Sequence, residues 1–492
     1  MIELILLLLY IQEPWRWKYV GDFRIINSIC CDIRYVYIGG AKGICRFDKL
    51  NGQWEAPVTH TPFPDDILLV AVDIGSNEVW FTTHMELGRY NPTFEDYRSV
   101  GFPPDFSNPC SIGISKDYIY LWNRNQCVVL NKLTNEWNKL TGDLPQVDWF
   151  PKVSPYQYSW LAPHYVTDKH LNQWQMTCAA EDGQWVWVGT KGYGIYKYNI
   201  TSHMNEEHYI FGISSRRTKA MFKDGNYIWV GTTQQIERLD LTSGASIHYW
   251  RMGGLTLLGT DISELPSHEM TSIVGDEASI WIGSAQGVYQ FNKQSEEMVG
   301  IDPVVKISEG VTSLAVDRGK LWIGTPNRLA KLEEGVFIEV LDKVCVNDVK
   351  VNADEVWVAT PRGVLRRVGE EWTKFEDPSK ITAHGVYRLL FEGNRIYFGT
   401  NWHGLLVYEN GKWDKFNYPV YLPGERVLSI AGDSIELYVG TDSGVAVWER
   451  GQNFWQKYTQ DNSPIKGKVY SIFVEKDIVY FSTEHGIVQF KR

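Results

Sequence analysis

The chain has 492 residues and a formal net charge of −11, with 59 Asp and Glu against 48 Lys and Arg. That length exceeds what one hydrophobic core sustains, which demands several domains or a repeat architecture, and the acidic balance without a Lys/Arg block argues against nucleic acid as a partner. Aromatic residues at 14% together with 43 Gly favour strands joined by tight turns over long helices.

The chain opens with an apolar stretch, residues 2–11, interrupted only by Glu3. Residues 1–14 look like the hydrophobic region of a signal peptide, although no positive residue precedes it and no small-residue cleavage pattern follows. The stretch is too short for a clear membrane span. A periplasmic or exported location is the expectation, with a cytoplasmic one as the alternative.

From there a strand core recurs: an aromatic residue, an apolar residue, then small residues. It reads Tyr37-Ile38-Gly39, Trp80-Phe81-Thr82, Tyr120-Leu121, Trp187-Val188-Gly189, Trp229-Val230-Gly231 and Trp281-Ile282-Gly283. It continues as Trp322-Ile323-Gly324, Trp357-Val358-Ala359, Tyr397-Phe398-Gly399, Tyr438-Val439-Gly440 and Tyr480-Phe481-Ser482. Seven of the ten intervals between these anchors fall between 40 and 43 residues. Such a period signals an all-β fold of β-propeller repeats, each a four-stranded blade that buries its faces against its neighbours. The unit at 311–340 shows the internal order, with four short apolar runs separated by polar turns.

The last unit stops at Arg492 before a fourth strand, and Trp15-Arg16-Trp17-Lys18-Tyr19 supplies the missing outer one. Pairing the two ends removes a free sheet edge. Eleven units strain a single ring and favour two, one unusually large ring being the alternative. The expected division is 15–140 for the first three blades and the closing strand, 141–341 for an inserted smaller propeller, and 342–492 for the final four blades.

These repeats resemble the bacterial two-component regulator propeller family, in the order apolar strand, polar turn, Trp-Ile-Gly-Thr, Gly-containing turn and short aromatic strand. The resemblance covers most of 15–492. It implies a sensor-type propeller that binds a ligand or partner, frequently a glycan; no span or kinase segment follows Arg492, so phosphotransfer does not carry over. The expected function is a noncatalytic binding module of the cell envelope, with a glycan-acting enzyme as the alternative, and with a glycan, peptide or protein as partner.

Two sets of residues are candidates for the binding surface. The period breaks at 141–176, an aromatic-rich insertion in which Trp149, Tyr156, Tyr158 and Trp160 offer rings for stacking; packing across a blade edge is the competing role. The turns after the anchor strands carry Tyr193, Arg328, Arg362, Trp402 and His403, which would ring one propeller face if those turns are equivalent, although exposed turns favour polar residues in any case. No catalytic set, cofactor motif or metal-ligand spacing stands out: the glycines are scattered over β turns, unlike a dinucleotide loop, and seven Cys lack zinc spacing. The cysteines, Cys45, Cys127 and Cys345 among them, read as small core residues.

Overall fold

The computed structural model describes residues 16–20, 23–41, 43–58, 66–94, 96–168, 171–213, 217–233, 235–241, 246–249, 269–300, 310–452 and 454–492. The signal-like segment 1–14 lies outside them. No helix among the described residues is long and apolar enough to cross a membrane.

Among the described residues, eleven sheets account for the strands. In chain order they span 26–58, 69–101, 111–150, 165–209, 218–249, 270–300, 313–342, 348–375, 386–416, 427–458 and 469–491, and are called sheets 1 to 11. Nine are four-stranded, and sheets 3 and 4 carry a fifth strand. Every anchor aromatic falls on the second strand of its sheet, the strands of sheet 4 being counted from Gln173–Asp182 and Tyr165–Thr167 being its fifth.

Sheet 7 shows why the repeat takes this form. Its strands Ser313–Asp317, Lys320–Gly324, Arg328–Glu333 and Val336–Asp342 pair in succession. Successive side chains of a strand point to opposite faces. Leu321 and Ile323 therefore join Val288 of sheet 6, whereas Trp322 joins Val349 and Val358 of sheet 8. The second strand is thus buried on both faces, which explains its unbroken apolar run. A Cβ at Gly324 would stand 2.4 Å from Val346 Cγ1, and one at Gly283 would stand 2.5 Å from Val311 Cγ1. The glycine two residues after the anchor is there because the segment leading into the next sheet presses on the backbone.

The chain forms two compact units, 20–214 with 240–246 and 1–19 with 215–239 and 247–492. The first holds sheets 1 to 4 and the second sheets 5 to 11. In the seven-sheet unit the first strand of each sheet lies against that of the next, and the first strand of sheet 11 lies against that of sheet 5. Ser482 Oγ donates to Thr218 O at 2.7 Å across that last junction. In the four-sheet unit sheet 1 touches sheets 2 and 4, and sheet 2 touches sheet 3.

The boundaries fall elsewhere than the repeat spacing predicts. Sheets 1 to 3 group with sheet 4, not with the last four sheets, and 141–341 is not one insertion. The reason is where the chain leaves and returns. Strand Trp17–Val20 lies beside Gly486–Lys491, completing sheet 11 as expected. Trp17 is buried there, with ring centroids 4.5 Å from Phe490 and 5.0 Å from Tyr458. The chain then builds sheets 1 to 4 and returns at sheet 5, which packs against sheet 11.

A clamp recurs between sheets. In five of the sheets the residue after the third strand is a cation that reaches a carboxylate at the end of the first strand of a neighbouring sheet. Lys49 meets Asp182 at 2.7 Å, Lys132 meets Asp73 at 2.6 Å and Lys293 meets Asp224 at 2.6 Å. Arg450 pairs with Glu392 and Arg492 with Asp433 in the same way. The three lysines also donate to a carbonyl of their own sheet, Asp32 O, Ser115 O and Asp276 O.

All seven cysteines are free. Cys30, Cys45, Cys127 and Cys178 are buried core residues, and burial pushes the Cys127 thiol up to about 11. Cys345 departs from the expected core role: it is exposed, in the connection between sheets 7 and 8, where no strand buries it.

Candidate functional site

The turns between second and third strands place one set of candidates. In nine of the eleven sheets a hydroxyl residue three positions after the anchor staples this turn, whereas sheets 1 and 3 place Gly40 and Asn123 there. Thr400 Oγ1 accepts the His403 amide at 3.0 Å and donates to Gly404 O at 2.7 Å. Thr190 does the same with the Tyr193 amide and Gly194 O, and Thr360 with the Arg362 amide and Gly363 O. Thr325 holds the Arg328 amide at 2.9 Å. The staple satisfies backbone groups that the turn takes out of the ladder. Its signal, a Thr or Ser recurring just before most of these turns, is present in the repeat, but its role emerges only once the turn has folded.

Arg328, Arg362, Trp402 and His403 therefore sit at matching places on sheets 7, 8 and 9. Their side chains act separately. Arg328 engages Glu339 of its own sheet at 2.8 Å. Arg362 and Trp402 are exposed. The His403 ring lies 5.5 Å from that of His384, and burial, with Lys415 and His384 nearby, holds its pKa below the usual histidine value.

The second set gathers on sheet 4. Its fifth strand, Tyr165–Thr167, comes from the aromatic insertion, which also lends Asp148–Phe150 to sheet 3 and forms two 3-10 turns at Pro155–Gln157 and Ser159–Leu161. Ser154 and Gln157 close the first turn as a capping box. The insertion thus packs over a sheet, and much of its aromatic surface is engaged. Trp160 stacks on His203 with centroids 4.7 Å apart and an interplanar angle of 7°. Tyr158 donates to Glu181 Oε1 at 2.6 Å, and burial with that carboxylate raises its phenol pKa. Trp149 donates from Nε1 to Pro145 O at 3.2 Å, on sheet 3 and away from the others. Tyr193 stacks on Trp174 at 5.8 Å, its carbonyl accepts from His208 at 2.7 Å, and burial depresses the His208 pKa.

Tyr156 is the member left open, 56% exposed. It borders a cleft of about 360 Å3 with Pro163, His164, Tyr165, Gln173 and Gln175. Its hydroxyl accepts from Gln175 Nε2 at 3.0 Å, and its ring lies 4.8 Å from His164. His164 Nε2 is buried with no hydrogen-bond partner among the described residues. The lining combines aromatic faces with neutral donors and acceptors. His164, Gln173 and Gln175 are cleft residues that the aromatic pattern alone does not single out. Among the described residues no group of three or more His, Cys, Asp or Glu is placed to hold a metal.

No family model and no curated protein matches the chain in sequence. Solved structures do match. The chain is similar to the extracellular domain of BT4673 from B. thetaiotaomicron, described as a hybrid two component system, at 14% identity over 95% of this chain and 75% of that one, with a TM-score of 0.47. It is similar to PorZ, described as a surface component of the type-IX secretion system of Porphyromonas gingivalis, at 12% identity over 95% of this chain and 74% of that one, TM-score 0.47. It is also similar to the WD40 β-propeller domain of Doa1, at 11% identity over 57% of this chain and 94% of that one, TM-score 0.44.

Proposed function

We propose that the chain is a noncatalytic binding module built from two propeller rings, of seven and four blades, acting outside the cytoplasm at the cell envelope. Its ligand is a neutral polar molecule with an apolar face, of which a saccharide is the chief example, and its site is the cleft beside Tyr156. The observation that carries this reading is the cleft lining. Tyr156 and Tyr165 offer ring faces for C–H surfaces, Gln173 and Gln175 offer amides for hydroxyls, and His164 Nε2 is a buried polar atom awaiting a partner. No carboxylate is among these lining residues, whereas glycoside hydrolysis by the usual route needs two.

Titration of the purified full chain against a panel of neutral oligosaccharides tests the proposal. Saturable binding is expected, weakened at least tenfold by Tyr156→Ala and unchanged by Trp402→Ala. Lack of saturable binding across the panel would overturn it, and release of shortened products would favour a glycan-acting enzyme instead.

A further inference from the structure

In the seven-sheet unit, the connection from sheet 8 to sheet 9 carries a 3-10 turn, Ile381–His384, that lies against the third strand of sheet 8 and the second strand of sheet 9. It sets His384 beside His403, which sits on the turn that follows that second strand. The two backbones are held from independent sides. Buried Asp377 ties the 3-10 turn down, its Oδ1 accepting the Thr382 amide at 2.7 Å and the Thr382 hydroxyl at 2.9 Å, and the Gly385 amide just beyond His384 donates to Thr382 O. Thr400 Oγ1 holds the His403 amide at 3.0 Å. Both positions are therefore fixed before any ligand arrives, and they lie on different loops, outside the short spacings that mark a zinc motif in sequence.

The ring geometry is that of two imidazoles converging on one point. A zinc–imidazole bond is about 2.0–2.1 Å long and a ring centroid lies roughly 1.2 Å behind its nitrogen, so two imidazoles meeting one ion at the tetrahedral angle hold their centroids about 5.2 Å apart. The centroids of His384 and His403 are 5.5 Å apart, and their planes are inclined at 63°. A parallel stack such as that of Tyr196 on His208, at 14°, offers no such meeting point. His384 is exposed and His403 half-buried, which leaves the pair open to solvent. Burial, with Lys415 and His384 nearby, lowers the His403 pKa and favours the neutral ring that binds a metal, while Asp377 acts in the opposite sense. Toward a bound cation the two charges reverse their roles: Lys415 opposes it and Asp377 attracts it.

We propose that His384 and His403 together hold one divalent ion of the class that imidazole suits, Zn2+, Cu2+ or Ni2+, with water in the remaining positions. The chain supplies two ligands where a structural zinc takes four, so binding is reversible and weaker than that of a structural zinc. The bound ion ties the connection between sheets 8 and 9 to the turn of sheet 9. It stabilises that part of the seven-sheet unit by mass action, because the unfolded chain does not bring the two rings together.

Calorimetric titration of the full chain with Zn2+, taken to about 1 mM, tests the site. Saturable binding is expected at neutral pH, weakened at least tenfold by His384→Ala and by His403→Ala and unchanged by His485→Ala, which removes an exposed histidine from the corresponding turn of sheet 11. Because His384 is exposed, its variant reads the site even should half-buried His403 prove necessary for folding. Binding should also weaken as pH falls below about 6.5, where protons compete for the ring nitrogens. With Cu2+ as the probe, the electron paramagnetic resonance spectrum should show coupling to two imidazole nitrogens, reduced to one in His384→Ala. Lack of saturable Zn2+ binding, undiminished binding by either folded variant, or a wild-type Cu2+ spectrum with a single coupled imidazole would each overturn the proposal.

Discussion

The two units use the same repeat but join their sheets differently. In the seven-sheet unit, neighbours meet strand against strand, and a glycine on one second strand receives the segment leading into the next sheet, as Gly283 receives Val311 and Gly399 receives Val427. In the four-sheet unit that contact serves only sheets 1 and 4, where Gly39 receives Ile67 and Gly189 receives Ile26. Between sheets 3 and 4 the chain instead inserts extra strands and turns, bridged by Val153 and Ala179. The Tyr156 cleft belongs to this less regular unit. Regular repetition fills the space between sheets, and departures from it leave openings that a ligand can enter.

The largest expected effect breaks each unit by itself. Trp187→Ala and Trp357→Ala each remove a buried indole and should cost about 3–5 kcal/mol. Hydrogen exchange resolved by peptide should show lost protection in 20–214 for the first and in 269–492 for the second; parallel loss in both units would mean that they unfold as one. Trp17→Ala sharpens the same comparison. It should cost about 3 kcal/mol, confined to the seven-sheet unit although residue 17 precedes all of sheets 1 to 4.

A smaller effect concerns the final clamp. Burial raises the Asp433 pKa, but Arg492 and the amides of Glu436 and Ile435 outweigh it and hold the carboxyl at about 2. A carboxylate held below its unfolded value, about 3.9, contributes stability that is complete above that value and lost as pH falls toward 2. Arg492→Gln should therefore destabilise the seven-sheet unit by about 1–2 kcal/mol at pH 7, less than a fully buried pair because Asp433 is partly exposed. Denaturant melts at pH 7 and pH 2.5 should show the difference shrinking at the lower pH.

His208 supplies the matching test in the four-sheet unit. Burial depresses its pKa, with the Tyr193 carbonyl opposing, so the neutral ring stabilises the fold above the unfolded value near 6.5. That stability is lost as pH falls through the lower folded value. Protection of sheet 4 should decline as pH falls below about 6.5, and His208→Gln should flatten the decline. The smallest expected effect is that of Trp402→Ala, whose side chain is exposed, within about 0.5 kcal/mol of wild type by thermal melting.

Much of the fold was legible before any coordinates. The anchor aromatics, the four-strand order and the pairing of 17–20 with 486–491 depend on side-chain alternation and local turns, which a strand imposes wherever it lies. The candidate site was legible only in part. Tyr156 borders a cleft, but Tyr158, Trp160 and Tyr193 are held in contacts with Glu181, His203 and Trp174, and an aromatic ring reads the same in sequence whether it is open or packed. His164 and Gln175 matter because of what faces them, and no local pattern records that.

By itself the sequence determined the unit of construction, since a strand's two faces and its turn residues are set by neighbours along the chain. Tertiary structure alone decided which sheets group together, where a clamp forms and which rings stay open, because each depends on residues brought together from distant positions, such as Lys49 with Asp182 or Thr218 with Ser482.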